Sequence, residues 1–572
     1  MRIRIPILIL TSTSLVSFVS AFIGFGQVAE GYSLSTRVYL ALQLFTFQCG
    51  DVEGAVPLGV EIARWLAPAT TLGGVYAAAH AFFARVLGGL RLRWVRGHTI
   101  ICGGGEKGSA LAVDLASSGD PSVVVVDPAE SEEWASLRRE GVLVLRGSGG
   151  DADAMAQAGL ARAARLVCLT GDDRTNIGMA LAAAEMLPVE RSAEPLEIHA
   201  HVADVGLRNI LQRNQLLDLR NDRRHRIRLF NCHASRARLT FAENPLEGEG
   251  QDGLHGDVHL VVGPLGSAEK ALVVHAAQIG HFRDGGKVKV HLVSVRAKAD
   301  EAALLKEYPG FRRCAELVAS AIAENDDFVE RVAELADGWN RDSVVTVLPG
   351  GAAEPALAEG LLLIERLKDV ARLRVLLDAA HDSPIRTLVG KNSALATRIR
   401  FLPPLLDAVG KDVVFQNGLD AVARRIHETW KRGTDERILK AEVAGDLQAA
   451  AKHREKDTYR DWDDLTEEQK DVNRLAADHI AVKFRAAGVD RGSGPSLRGA
   501  WDGLDGRQLD MLCRMEHERW AAPLWMAGWT AGERNDVLGI HPNLVPYDEL
   551  DEGTRNYDLE QVKMAASYRI GA

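Results

Sequence analysis

The chain has 572 residues, 47% hydrophobic and 26% charged, with a formal net charge of -10. At about 150 residues per domain this length implies three or four units, and the composition excludes wholesale disorder. The acidic balance excludes a dedicated nucleic-acid binder, which needs a basic surface to replace phosphate counterions.

The first element is apolar. Pro6 to Phe25 carries no charge and follows Arg2 and Arg4, enough to cross a hydrocarbon core of about 30 Å as a helix. A cleaved secretory signal has the same pattern, but a second apolar stretch, Trp65 to Phe83, leads into Arg85, Arg91, Arg93 and Arg96. The intervening loop is acid-rich, so the positive-inside bias predicts two spans, with the N-terminus and everything after about residue 90 in the cytosol. The expected location is the cell (inner) membrane as a multi-pass protein, with the lipid bilayer as a partner.

Between the spans, Ser35 to Phe47 is amphipathic and too short to cross, the length of a re-entrant helix. It runs into Thr46, Phe47, Gln48, Cys49, Gly50 and Asp51, then Pro57, Leu58 and Gly59. This resembles the pore helix and filter of two-helix potassium channels, whose filter reads TVGYGD before a Pro-Leu-Gly element. Thr46, Gly50 and Asp51 match, while Gln48 replaces the first filter glycine and Cys49 the tyrosine. Filter glycines let successive carbonyls face a dehydrated ion. The resemblance therefore implies a pore for monovalent cations, with potassium selectivity put in question by Gln48.

A β-branched run from His98 meets Gly103, Gly105 and Gly108 in GxGxxG spacing, then an Ala/Leu helix, then a strand Val123–Val126 ending in Asp127. Such glycines permit a tight turn, close approach to a pyrophosphate and close helix packing, and the helix N-terminus favours the anion. Glu106 and Lys107 lie inside this turn. Asp127, roughly 20 residues on, is placed to accept ribose hydroxyls. Strands follow at 141–146 and 164–170, with helices at 151–159 and from near Asn176. At Gly150-Asp151-Ala152-Asp153 and Thr170-Gly171-Asp172-Asp173-Arg174-Thr175-Asn176 the chain resembles the TrkA-N (RCK/KTN) domain of potassium channels and transporters, over about residues 97–215. That resemblance implies a regulatory site for NAD(H) or an adenine nucleotide, with Asp151, Thr170 and Asp172 among its residues, on a homo-oligomeric (dimeric or tetrameric) gating assembly.

Further on, the basic run Arg220 to Arg228 reads as a solvated helix end or strand edge, and Glu247 to Gly256 as an acidic linker. A second α/β unit is predicted from strands at 258–262, 288–295, 343–348 and 373–377 and helices at 267–279 and 354–368. Its first turn, Gly263-Pro264-Leu265-Gly266, lacks the GxGxxG spacing and predicts a structural partner. Residues 418–490 read as charged helices.

The end of the chain carries Glu516-His517-Glu518-Arg519-Trp520, Gly528-Trp529, His541-Pro542-Asn543-Leu544-Val545-Pro546-Tyr547-Asp548-Glu549-Leu550 and Tyr557-Asp558. These runs resemble the RyR domain, the repeat named after ryanodine receptors, and imply a small helical fold. Its aromatic residues read as a small core or as a purine pocket formed by Arg519, Trp520, Trp529, His541, Pro542 and Tyr547.

The six cysteines lie far apart with no CxxC pair and no clustered histidines, so neither disulfides nor a structural metal site is expected. The expected organisation is a two-span membrane segment with a pore-like loop (1–96), a TrkA-N Rossmann domain (97–215), a connecting helix and linker (216–256), a second Rossmann-like doubly wound domain (257–417), a helical linker (418–506) and an α-helical RyR domain (507–572). The expected function is a nucleotide-regulated cation channel rather than an enzyme. A membrane-disrupting defence effector and a non-conducting tethered scaffold are the alternatives.

Overall fold

The computed structural model describes residues 4–28, 32–48, 56–120, 122–189, 194–213, 223–248, 256–323, 327–380, 383–415, 418–489 and 495–570. The chain divides into two compact units, Met1–Val95 and Arg96–Ala572.

In the first unit, α1 (Arg4–Val28), α2 (Leu34–Gln43) and α3 (Leu58–Trp94) pack around Ala21, Phe25, Leu44, Val60 and Ala67. Small residues let α1 and α3 touch through their backbones: a Cβ at Gly59 would lie 2.6 Å from Ser20 O, and one at Gly24 2.8 Å from Val60 N. Leu15, Ile23, Trp65, Val75 and Tyr76 point outward, Trp65 with 72% of its surface exposed. Among the described residues one stretch, Leu10–Val28, is long and apolar enough to cross a membrane. The second expected span, Trp65 to Phe83, falls within α3, whose 37 residues have the length, and its later part lies outside the residues described in full.

The second unit opens with a parallel sheet. It comprises β1 (Thr99–Cys102), β2 (Val123–Asp127), β3 (Leu143–Arg146), β4 (Arg165–Cys168), β5 (Leu196–His201) and β6 (His225–Phe230), in the order β3-β2-β1-β4-β5-β6. Its central strands are buried on both faces, which is why they read as runs of Val, Ile and Leu. The connecting helices include α4 (Glu106–Ser117), α5 (Trp134–Arg139), α6 (Ala152–Ala158), α7 (Asp173–Met186), α8 (Val205–Arg213) and α9 (Cys232–Glu243). The stretch 216–256, expected to be a connection, supplies edge strand β6 and α9.

A second parallel sheet repeats the plan. Here β7 (Val258–Val262), β8 (Val288–Ser294), β9 (Glu316–Ala321), β10 (Val344–Leu348), β11 (Arg372–Leu377) and β12 (Ile399–Phe401) stand in the order β12-β11-β10-β7-β8-β9. Renumbered from its own first strand, this is again 3-2-1-4-5-6, the doubly wound order with its switch point beside the first strand. The first helix of this unit, α10 (Ser267–Ile279), follows β7.

The remaining residues are mainly helical, as expected. Helices 421–443, 467–478 and 480–486 belong to the stretch expected as a linker. Leu475, Phe484 and Trp501 from that stretch share one core with Val262 and Leu272 of the second α/β unit and Leu512, Trp525 and Val562 of the terminal module. Contact is close: a Cβ at Gly310 would lie 1.9 Å from Trp525 O.

Candidate functional site

The turn between β1 and α4 lies at the carboxyl edge of the first sheet. Gly103 has φ +116°, which a side chain rarely adopts, and a Cβ there would meet Leu169 O at 2.6 Å. A Cβ at Gly108 would lie 1.8 Å from Gly103 O, so α4 can close on the strand only with glycine at that position. A Cβ added at Gly105 would meet no atom within 4 Å, so this residue faces open space. Gly105 is the N-cap of α4 and no side chain caps that helix. By contrast Asp172 caps α7 and Asn231 caps α9. The first-turn amides of α4 and the positive end of its dipole therefore face open space, as an anion requires.

Asp127 ends β2 beside this turn. Its carboxylate accepts from Gly104 N at 2.6 Å and Ala129 N at 2.9 Å, which fixes its orientation while leaving lone pairs for a ribose. The indole Nε1 of Trp134, buried at 3% exposure, would lie 3.2 Å from a Cβ on Gly104 and has no hydrogen-bond partner. An unpaired buried donor next to the turn is costly without an acceptor.

The other expected nucleotide residues divide. Thr170 abuts the turn, its backbone N 3.1 Å from a Cβ on Gly103, and Asn176 Oδ1 accepts from both its N and its Oγ1 at 2.8 Å. Asp151 and Asp172 act as helix caps: Asp151 accepts from Asp153 N at 3.0 Å and Asp172 from Thr175 N at 2.8 Å. The Thr175 bonds hold the Asp172 carboxyl below its usual range. Glu106 is exposed in the first turn of α4. Lys107 turns across the sheet edge, its Nζ 3.2 Å from His233 Nε2.

That contact belongs to a grouping whose only mark in the sequence is the adjacent Cys232 and His233 at the start of α9. His201, Cys232 and His233 place their ligand atoms within 4.8 Å of one another. Burial, then the Lys107 charge, pushes His201 down to about 3 and His233 to about 4, and burial raises the Cys232 thiol.

The second sheet's equivalent turn is closed. Glu269 of α10 folds back so that its carboxylate accepts from Gly266 N at 3.1 Å, supplying from within the helix the negative charge its N-terminus favours.

In the first unit, Thr46 Oγ1 donates to Gln43 O at 2.9 Å and Gln48 N to Gln43 O at 3.2 Å, closing the helical turn after α2. Phe47 carries a left-handed φ of 65°, a costly conformation for a bulky residue. Cys49, Gly50 and Asp51 lie outside the described residues.

In the terminal module the expected pocket residues have different surroundings. Arg519 is 3% exposed and pairs with Glu516, which also binds Lys483; its guanidinium is committed to a buried ion cluster rather than to a ligand face. Trp520 packs between His517 (5.7 Å) and His541 (5.1 Å). Tyr547 lies under Arg514 and Arg555 at 5.1 and 5.8 Å. Trp529 packs on Gly539, and Pro542 is exposed.

The strand order, the glycine turn and the uncapped α4 together define a doubly wound α/β unit of the dinucleotide-binding type. Residues 99–216 match the TrkA-N domain and residues 507–568 the RyR domain, so the chain contains both. No curated protein matches the chain. Among solved structures it is similar to the GsuK channel bound to NAD, at 13% identity and a TM-score of 0.38 over 70% of this chain and 80% of that one. It is also similar to GsuK bound to ADP, at 14% identity and 0.36 over 70% and 94%. The GsuK RCK domain matches at 12% identity and 0.36 over 57% and 79%.

Proposed function

We propose that the chain is a nucleotide-regulated transmembrane cation channel or channel-like protein, in which the glycine turn of the first α/β unit binds NAD(H) or an adenine nucleotide and biases the membrane segment. The observation that carries this reading is the open N-terminus of α4 at Gly105, beside the oriented carboxylate of Asp127. The TrkA-N match supports a sensing role for that turn. Leu10–Val28 and the outward apolar residues of α1 and α3 support a bilayer location, both cytosolic ends following from the basic flanks. One copy cannot enclose a pore, so the active form is a homo-oligomer.

Regulation requires that the nucleotide bind one state better than the other. Its role is to shift that equilibrium, not to undergo hydride transfer, and the protein acts as a sensor rather than an enzyme. A membrane-disrupting effector is the second reading. It is favoured by Gln48 at a filter-glycine position and by the left-handed Phe47 before it. Purified full-length protein in liposomes separates the two. Potassium-selective flux on adding NAD or ADP supports the channel, unselective leakage supports the effector, and no nucleotide response defeats both.

A further inference from the structure

We propose that His201, Cys232 and His233 form a binding site for a zinc-class divalent transition-metal ion, with Lys107 of the glycine turn as the cation that opposes it.

The site follows from strand order. β5 and β6 are parallel neighbours with His201 opposite Phe230, so the end of β5 meets the residues that open α9. Asn231 holds those residues in place. Its Oδ1 accepts from His233 N at 2.9 Å and Ala234 N at 3.2 Å, and its Nδ2 donates to Ala203 O at 3.1 Å. Cys232 Sγ then lies 3.0 Å from His201 Nε2. A tetrahedral ion with bonds of about 2.0–2.1 Å to nitrogen and about 2.3 Å to sulfur sets ligand atoms roughly 3.3–3.6 Å apart. The three atoms, all within 4.8 Å of one another, reach that spacing by small side-chain movements.

A second observation points to an ion. His201 Nδ1 is buried and has no hydrogen-bond partner, yet Asp173 Oδ1 stands 4.0 Å away. The Asp173 carboxylate is held by Ala203 N at 3.0 Å and Asp204 N at 2.8 Å. A metal on Nε2 makes Nδ1 a donor toward that carboxylate, the usual arrangement behind a ligating histidine. Cys232 gives up its thiol proton to solvent as the sulfur–metal bond forms. Two imidazoles and a thiolate select zinc or cobalt over calcium or magnesium, and three protein ligands leave one position open.

Three cations face the site. Arg236 is neutralised by Asp378 through contacts of 2.6 and 2.7 Å, and Lys270 by Glu307 at 2.8 Å. Lys107 stands against His233 itself. A phosphate bound at the α4 N-terminus attracts the Lys107 ammonium away from His233, so nucleotide and metal favour each other's binding. This last clause rests on the nucleotide reading; the metal site does not.

The test is cobalt titration of reduced, metal-stripped full-length protein. The expected result is a thiolate-to-cobalt charge-transfer band saturating at about one ion per chain, competed away by zinc. Cys232→Ser loses the band, and half-buried His233→Gln, the milder replacement, weakens binding while melting like wild type. Lys107→Met binds cobalt about tenfold more tightly. Absence of the band, or its persistence in Cys232→Ser, overturns the site, and unchanged affinity in Lys107→Met overturns the role of that lysine. ADP is expected to tighten cobalt binding in wild type but not in Gly105→Ala. Loss of that effect alone, with the band intact, counts against the nucleotide reading and leaves the metal site standing.

Discussion

Replacing Gly105 by alanine separates ligand binding from folding. The residue has φ -73° and ψ -172°, extended backbone open to any residue, and an added Cβ meets no atom within 4 Å. The fold therefore loses only the small difference between glycine and alanine at an N-cap, under about 1 kcal/mol. The methyl group projects into the space from which a phosphate approaches the α4 amides. Displacing one charge-assisted backbone hydrogen bond costs about 1.5–3 kcal/mol, a loss of about 10- to 150-fold in affinity. Calorimetric titration of full-length wild type and variant with NAD and with ADP, beside thermal melting, reads both quantities. A variant that melts like wild type and binds either nucleotide equally well refutes the placement of the site.

Gly108→Ala has the opposite profile. With its Cβ 1.8 Å from Gly103 O, overpacking costs about 1–3 kcal/mol or more, read as a lowered melting temperature with or without nucleotide. In the terminal module, Glu516→Ala leaves Lys483 and Arg519 buried without their carboxylate and is expected to destabilise by about 3–5 kcal/mol in denaturant titration; a change below about 1 kcal/mol contradicts the buried cluster. Acid also destabilises. Burial lowers His201 and His281 to about 3 and His233, His259, His275 and His291 to about 4, so the unfolded chain binds protons from about pH 6.5 downward while the native one does not. Each costs about 1 kcal/mol between pH 7.5 and 5.5. Asp558, raised to about 7 chiefly by burial, opposes this by gaining stability as pH falls. Six histidines outweigh one acid, and equal or higher melting temperature at pH 5.5 contradicts the burial of those rings.

The parts of the fold visible in the sequence are those where one local pattern suffices. Gly103, Gly108 and Asp127 specify their turn because each answers a backbone or sheet-edge demand within one β–α–β stretch, and Gly105 leaves the mouth of that turn open. Val258–Val262 and Ser267–Ile279 coincide with β7 and α10 because their periodicity is uninterrupted. β5 and β6 have no clear strand pattern because Leu196–His201 and His225–Phe230 carry histidine and arginine where a buried strand normally shows Val or Ile; neighbouring elements bury much of them regardless. The same tertiary effect hides His201, Cys232 and His233, which only the pairing of β5 with β6 brings together. The adjacent Cys232 and His233 at a helix start were the available signal. Asp151 and Asp172 have the residue type of ligand contacts and of N-caps alike, and both make cap hydrogen bonds.

The central claim is that a nucleotide at the turn around Gly105 controls the membrane segment. Ion flux through liposomes carrying the full-length protein tests it most directly. The prediction is flux that rises or falls with NAD or ADP in wild type and is about 10-fold or more less sensitive to nucleotide in Gly105→Ala. Flux indifferent to both nucleotides, or identical nucleotide sensitivity in the variant, contradicts it.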